Sequence, residues 1–179
     1  MVKIPRRAAL GIATINDHTR GTARQLPEHA SMADDARWTA RSEHERLLLD
    51  VVRRYEHTYN TDVEKLVLDV YAHDVDLYMT GGEIHGKDPF MAVEKAILAA
   101  APKRRMRVDR AHVCGEQTVV IEAVILDDAR PDFFSPFCAI FTIRDGRIVE
   151  DHSYLDPSQW PGIAAAAPFA SPGGLGAPR

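Results

Sequence analysis

One charged residue interrupts a long apolar segment in the second half of the sequence. Glu122 is the only charge in a nine-residue run of otherwise uncharged residues, and burying a lone carboxylate is expensive. Pairing across a hairpin loop at residues 115–117 would place Arg110 opposite Glu122. It would also place His112 opposite Val120, on the same face of a sheet. These residues therefore form a candidate polar cluster on the wall of a pocket.

Two interpretations of this cluster stay open. In the functional one, Glu122 is a general base, and Arg110 sets its pKa or stabilises a developing oxyanion. In the structural one, the two residues form an ion pair on the convex, solvated face of the sheet, or a buried pair kept for specificity. A slip of one residue in the strand pairing exchanges the two faces, so the sequence does not choose.

The last predicted strand carries a second set of polar candidates at consecutive positions. Side chains alternate along a strand, so Asp151 and Ser153 face one side and His152 faces the other. Regular pairing through the preceding Asp-Gly turn places His152 opposite Ala139 and Asp151 opposite Ile140. His152 is a candidate acid–base group near neutral pH, although a single strand histidine also suits a surface position.

Few other residues in the sequence are candidates for catalysis or metal binding. Tyr55 lies on the apolar stripe of the first predicted helix. Either its hydroxyl donates to a substrate carbonyl, or Tyr55 is a core aromatic residue whose hydroxyl bonds to the backbone. The eight histidines are dispersed, and no His-Glu-x-x-His, Cys-x-x-Cys or Gly-x-Ser-x-Gly motif occurs. We therefore expect no metal and no cofactor. The basic cluster at residues 103–105 is expected to be a solvated helix-to-strand junction.

The elements that must position these residues change in type along the chain. A capping pattern of Ser42 followed by Glu45 predicts a helix over residues 43–59. A second helix follows Asp62, and a third follows Asp88, which is expected to be its N-cap. Strands are predicted over residues 75–80, 105–113, 118–127, 133–144 and 147–155. This order predicts an α+β fold in which helices cover one face of an antiparallel sheet.

Composition limits the class of protein. The chain has 179 residues, with 22 Lys and Arg against 26 Asp and Glu and a net charge of −4. The acidic balance argues against nucleic acid and anionic membranes as partners. No apolar run is long enough to span a membrane. The two cysteines do not make a disulfide framework, which indicates a cytoplasmic protein.

The ends differ from the middle. Residues 161–179 are rich in Pro, Gly and Ala, and the first 31 residues show no sustained period. Residues 1–41 and 161–179 are therefore predicted to be disordered. The domain is expected over residues 42–160. Met32 is a candidate for the biological start.

Several short motifs, weak individually, occur in a specific order. They are Asn60-Thr61-Asp62, Ala72-His73-Asp74-Val75, Gly86 before the third helix, Gly146-Arg147-Ile148-Val149, and Tyr154-Leu155-Asp156. With the order of elements, residues 43–160 resemble the SnoaL-like branch of the nuclear transport factor 2-like superfamily. The resemblance implies a cone-shaped α+β barrel, in which a curved antiparallel sheet wraps around three helices and encloses a deep apolar cavity.

The resemblance also implies a set of cavity residues. Polyketide cyclases, limonene-epoxide-type hydrolases, ketosteroid isomerase and scytalone dehydratase share this fold with non-catalytic domains, so the fold alone does not name a reaction. The side chains expected to contact a substrate are Tyr59, Leu77, Met79, Val120, Val124, Phe137, Ser153 and Trp160.

Comparison with the epoxide hydrolases is informative at three positions. Their Arg and two Asp correspond to Val120, Glu122 and Ser153 here, so direct epoxide hydrolysis by that triad is doubtful. The same comparison favours Asp151 facing the cavity together with Ser153, which would require a bulge in the preceding strand.

Two function hypotheses result. The first is a cofactor-independent enzyme that performs cyclisation, isomerisation, dehydration or epoxide opening on a small, apolar, oxygenated molecule. Glu122 or Asp151 would be the base, with Arg110, Tyr55 and a histidine polarising oxygen. The second is a non-catalytic ligand-binding or dimerisation domain. Under both hypotheses a homodimer is expected through the outer sheet face, with Ile121, Ala123 and Ile125 as candidate contacts.

Overall fold

A computed structural model describes residues 36–157 and residue 159. The helical elements are a 3-10 turn Ala36–Trp38, α1 Glu43–Thr61, α2 Val63–Lys65, which continues as a π-helix Leu66–Val70, and α3 Lys87–Ala100. The strands are β1 Tyr71–Met79, β2 Gly82–His85, β3 Arg104–Val113, β4 Thr118–Asp127, β5 Phe134–Arg144 and β6 Arg147–Tyr154.

Local chemistry explains where the helices begin. The Ser42 hydroxyl accepts a hydrogen bond from the Glu45 amide at 3.1 Å, as the capping pattern predicts. Asp62 caps α2 in the same way through the amide of Lys65. The N-cap of α3 is Gly86, with a φ of +80° that favours glycine, and not Asp88, which lies inside the first turn.

The six strands form one curved, open sheet in the order β2-β1-β6-β5-β4-β3. The prediction of an α+β fold with a curved sheet around three helices is confirmed. Two details differ. β1 and β6 run parallel, so the sheet is mixed, and residues 82–85, for which no strand is predicted, form β2 against β1.

A bulge near the start of β6 decides which side chains face the helices. Ile148 pairs with Ile143, whereas Glu150 pairs with Thr142, so Val149 is an extra residue in β6. Asp151 consequently pairs with Phe141 on the inner face. The regular register expected from the turn is wrong, and the bulge lies in the last strand and not in the preceding one.

The two faces of β4 are opposite to those assumed for the candidate dimer contacts. Ile121, Ala123 and Ile125 are buried on the helix side. Glu122 lies on the outer face, and Val120 and Val124 share that face by alternation. The three candidate contact residues therefore belong to the core and do not form an outer surface.

The core lies between the helices and the inner face of the sheet. It includes Trp38 from the turn before α1, which is N-terminal to the expected domain boundary at residue 42. Among the described helices, none is both long and apolar enough to cross a membrane.

Candidate functional site

A small cavity lies between the helices and the inner face of the sheet. Its volume is about 30 Å³, enough for about two water molecules. Most of its wall is apolar, but five titratable side chains line it. The lining residues are Tyr55, Tyr59, Leu66, Tyr71, Leu77, Met79, Phe90, Glu94, Ile97, Phe137, Asp151, Ser153 and Leu155.

Asp151 is the central polar group of this cavity. Its side chain is buried, and the Tyr71 hydroxyl donates to Oδ2 at 2.8 Å while the Ser153 hydroxyl donates to Oδ1 at 2.8 Å. Burial raises the pKa of Asp151 to about 6, although both hydroxyl donors act in the opposite direction. The carboxyl therefore changes its charge close to neutral pH, as an acid–base catalyst requires.

The π-helix before β1 sets the position of Tyr71. The Arg147 guanidinium holds the end of this helix, because its Nη1 lies 2.9 Å from the Leu68 carbonyl, 3.1 Å from that of Asp69 and 3.3 Å from that of Tyr71. Short π-helices often occur at functional sites. Here the π-helix ends immediately before Tyr71, the first residue of β1, and so positions the Tyr71 side chain in the cavity.

Tyr55 extends the hydroxyl chain from α1. Its ring contacts those of Tyr71 and Phe141 edge to face, with centroids 6.3 and 5.0 Å apart, and its hydroxyl interacts with that of Tyr71. Burial raises the pKa of both tyrosines well above the usual value. Both therefore carry neutral hydroxyls that can donate hydrogen bonds.

A second polar group, formed by Glu94, Arg104 and Tyr59, lies in the same region. Arg104 donates to Glu94 Oε2 at 3.0 Å and to the Tyr59 hydroxyl at 2.9 Å. The Arg104 side chain is 1% exposed, so the prediction of a solvated junction at residues 103–105 is wrong for this residue. Burial raises the pKa of Glu94, and the Arg104 charge opposes that effect.

The structure brings seven of the sequence-predicted site residues together in the cavity. They are Tyr55, Tyr59, Leu77, Met79, Phe137, Asp151 and Ser153. Trp160 lies outside the described residues.

Arg110, His112 and Glu122 lie on the outer face, although their predicted pairing is observed. Arg110 pairs with Glu122 and His112 with Val120, and Arg110 Nη1 is 3.4 Å from Glu122 Oε2. All three side chains are more than half exposed. They do not line the cavity, because the inner face of β4 carries the neighbouring alternate positions, and the ion pair on the solvated face is the arrangement observed.

His152 is also on the outer face. The Val149 bulge turns it away from the cavity, where it stacks on Tyr78 with ring centroids 4.6 Å apart and lies 2.5 Å from Glu150 Oε1. Val120 and Val124 share this side of the sheet by alternation, so they do not contact the cavity. Two of the three positions that correspond to the epoxide hydrolase triad, Val120 and Glu122, are therefore outside it.

Two polar cavity residues, Tyr71 and Glu94, are not among the candidates predicted from the sequence. Glu94 follows Phe90 by four residues and precedes Ile97 by three, so it lies on the apolar stripe of α3, and that spacing was a usable signal. Tyr71 had no comparable signal, because its position depends on the π-helix. Across the described residues, no group of three or more His, Cys, Asp or Glu could hold a metal ion.

Comparisons with known proteins agree with the fold. A family model described as a SnoaL-like domain matches residues 51–151. Comparison with curated proteins finds no match. A candidate SnoaL-like polyketide cyclase from Jannaschia sp. CCS1 is 16% identical over 75% of this chain and 99% of that one, with a TM-score of 0.58.

Two further solved structures show the same architecture. IdmH, a candidate polyketide cyclase from Streptomyces antibioticus, is 18% identical over 63% of this chain and 94% of its own, with a TM-score of 0.54. A protein with a ketosteroid isomerase-like fold from Catenulispora acidiphila, solved with trimethylamine, is 18% identical over 66% and 92%, with a TM-score of 0.53. At these identities, the likeness shows the fold alone.

Proposed function

Because the chain belongs to the SnoaL-like domain family, we propose that it is an enzyme that moves protons on a small, apolar, oxygenated molecule with its own side chains. The observation that carries this proposal is the Asp151 carboxyl, which is buried in an apolar cavity between two hydroxyl donors. Five titratable groups converge in that cavity, which supports catalysis over passive binding.

Asp151 is the base in this proposal. With a pKa of about 6, it is mostly ionised at pH 7 and yet basic enough to remove a proton from carbon next to a carbonyl group. The hydroxyls of Tyr71 and Ser153 each occupy one carboxylate oxygen and fix its orientation. Each oxygen retains a second lone pair that can accept the substrate proton.

Tyr55 is the proposed donor to the substrate oxygen. The one proton of the Tyr71 hydroxyl is donated to Asp151, so the Tyr55 hydroxyl turns from Tyr71 to the substrate when it donates. Its pKa is raised by burial, so it carries a proton throughout the neutral range. A neutral hydroxyl donor in an apolar wall stabilises the negative charge that develops on a carbonyl oxygen when the neighbouring carbon loses its proton. Enolate formation of this kind is the first step of both aldol cyclisation and double-bond isomerisation.

The names of the structural neighbours are consistent with this step. Two are candidate polyketide cyclases and one has a ketosteroid isomerase-like fold. Dehydration also begins with proton removal next to a carbonyl in many substrates. Epoxide opening receives less support, because Val120 and Glu122 lie on the outer face.

A substrate larger than two waters needs room that the cavity gains by side-chain movement. Met79 is half-buried on the wall, and methionine changes rotamer at low cost. We assign Met79 as the residue that moves when a ligand enters.

The proposal is tested by proton exchange on a simple ketone. Cyclohexanone is incubated in D₂O buffer at pD 7 and followed by proton NMR with the wild type, Asp151→Asn and Glu122→Gln. The wild type is expected to accelerate exchange of the α-protons, and Asp151→Asn to lose at least about 100-fold of that rate. Glu122→Gln, which changes the outer carboxylate, keeps the wild-type rate.

Two results would contradict the assignment. Retention of the rate by folded Asp151→Asn would exclude Asp151 as the base. Wild-type exchange no faster than in buffer would favour the second function, a non-catalytic binding or dimerisation domain. A specific observation favours that second function as well, since Phe134 and Tyr154 on the outer face are 57% and 59% exposed and suit an apolar contact between two copies.

A further inference from the structure

Glu94 is held in a fixed position by a buried cation. The residue is 8% exposed, and Arg104, with a side chain 1% exposed, donates to its Oε2 at 3.0 Å. Arg104 is itself fixed, because its Nε donates to the Tyr59 hydroxyl at 2.9 Å and its guanidinium lies 4.5 Å from the Tyr59 ring centroid. The carboxylate plane is therefore set before any ligand arrives.

The second oxygen of Glu94 has a different environment. No donor among the described residues reaches Oε1. Among the described residues, Arg53 Nε is the only fully buried side-chain nitrogen or oxygen without a hydrogen-bond partner. Glu94 Oε1 is therefore not fully buried. Oε1 therefore borders space that a water molecule can enter, and Glu94 lines the cavity.

The two cavity carboxylates are consequently unequal. Both oxygens of Asp151 have a protein donor, from Tyr71 and from Ser153, whereas Glu94 has one oxygen without a donor. Because Oε1 has no protein donor and borders space that a water molecule can enter, Glu94 offers the cavity a fixed acceptor site. Arg104 already balances the charge of Glu94, so a neutral donor suits this site better than a cation.

We propose that Glu94 Oε1 positions the ligand by accepting a hydrogen bond from a ligand hydroxyl, so that the cavity takes a hydroxylated apolar ring such as a phenol or an enol. This inference rests on the proposed function and deepens it. The ligand hydroxyl binds at Glu94 on the helix side, and the reacting carbon lies at Asp151 on the sheet side. Glu94 is a positioning residue and takes no part in proton transfer.

The test uses phenol and anisole, which differ by a methyl group on the oxygen that would donate. Binding of each is measured by NMR titration at pH 8 with the wild type and Glu94→Gln. The wild type is expected to bind phenol at least tenfold more tightly than anisole, in line with a hydrogen bond to a charged acceptor. In Glu94→Gln the amide oxygen stays on Arg104 and the amide nitrogen faces the cavity, so the preference falls at least tenfold and moves toward anisole.

Two further variants give the comparison its controls. Glu64→Gln makes the same change on an exposed carboxylate of α2 and keeps the wild-type preference. Asp151→Asn also keeps it, even though that variant loses proton exchange. The inference about Glu94 and the assignment of Asp151 as the base can therefore be refuted independently of each other.

The results that overturn the inference are distinct. An equal affinity of the wild type for phenol and anisole, or no binding of phenol up to 10 mM (about 100-fold above a 0.1 mM dissociation constant), excludes a hydroxyl site at Glu94. An unchanged preference in folded Glu94→Gln excludes it as well. Loss of the preference in Asp151→Asn alone would place the hydroxyl at Asp151. If Glu94→Gln does not fold, the wild-type preference for phenol and its retention in Asp151→Asn together decide.

Discussion

Replacing Asp151 by asparagine removes a charge from the core and makes a quantitative test of its burial possible. The folded carboxyl has a pKa of about 6, against 3.8 for an unperturbed aspartate. Between these values the folded chain holds more protons than the unfolded chain, so raising the pH favours unfolding. The stability that the protonated carboxyl contributes is complete below pH 3.8 and is lost as the pH rises through 6.

The size of the effect follows from the same two values. A difference of about two pKa units corresponds to about 3 kcal/mol of unfolding free energy. Asparagine carries no charge over this range, and its side-chain oxygen still accepts a hydrogen bond. The free energy of unfolding of Asp151→Asn minus that of the wild type is expected to rise by about 2.4 kcal/mol between pH 4 and pH 8, with most of the rise between pH 4 and pH 6.

The assay is urea denaturation at half-unit pH steps, followed by circular dichroism. Asp132→Asn, at an exposed aspartate in the turn before β5, is the matched control and should give a nearly flat difference. Tyr71→Phe should shift the Asp151 transition to higher pH, because the Tyr71 hydroxyl lowers the pKa of that carboxyl. A flat difference for Asp151→Asn, or one that falls as the pH rises, would refute the argument that burial controls this carboxyl.

Two other predictions concern the π-helix and the outer face. Arg147→Met is expected to lower the unfolding free energy by about 1–3 kcal/mol, because it removes the guanidinium from three backbone carbonyls; urea denaturation against Arg144→Met measures this, and equal losses would show that the carbonyl contacts contribute nothing. If two copies associate through the outer face, Tyr154→Glu is expected to weaken that association at least tenfold in sedimentation velocity, because it places charge on an exposed aromatic position, whereas Leu98→Glu on α3 is not. A wild-type chain that sediments as a monomer would exclude the homodimer.

The sequence predicted the element order well where the signals are local. Ser42 and Asp62 cap their helices as expected, and β4 has the predicted bounds. The antiparallel pairing of Arg110 with Glu122 was also correct, since a hairpin loop of known length fixes the register.

The local sequence pattern does not indicate which face of a strand points toward the core. β4 carries apolar residues on both faces, for example Ile121 inside and Val120 outside, so alternation does not distinguish them. In β6 the face depends on one extra residue, Val149, and valine is an ordinary strand residue that gives no signal for a bulge. Tyr71 reaches the cavity through the π-helix before β1, and its hydrogen bond to Asp151 joins residues 80 positions apart. Glu94 differs, because its place on the apolar stripe of α3 is visible in the local spacing.

The parallel pairing of β1 with β6 has a consequence for the order of folding. The hairpins from β3 to β6 join neighbours in the chain, whereas Leu77 and Asp151, which pair across β1 and β6, are separated by about 70 positions. Closing a loop of that length is entropically unfavourable before other contacts exist, so such pairings form late. The hydrogen bond from Tyr71 to Asp151 spans the same gap. The contact between Tyr71 and Asp151 is thus absent from any state in which β1 is detached from β6, and a ligand that binds both residues should slow the separation of these two strands.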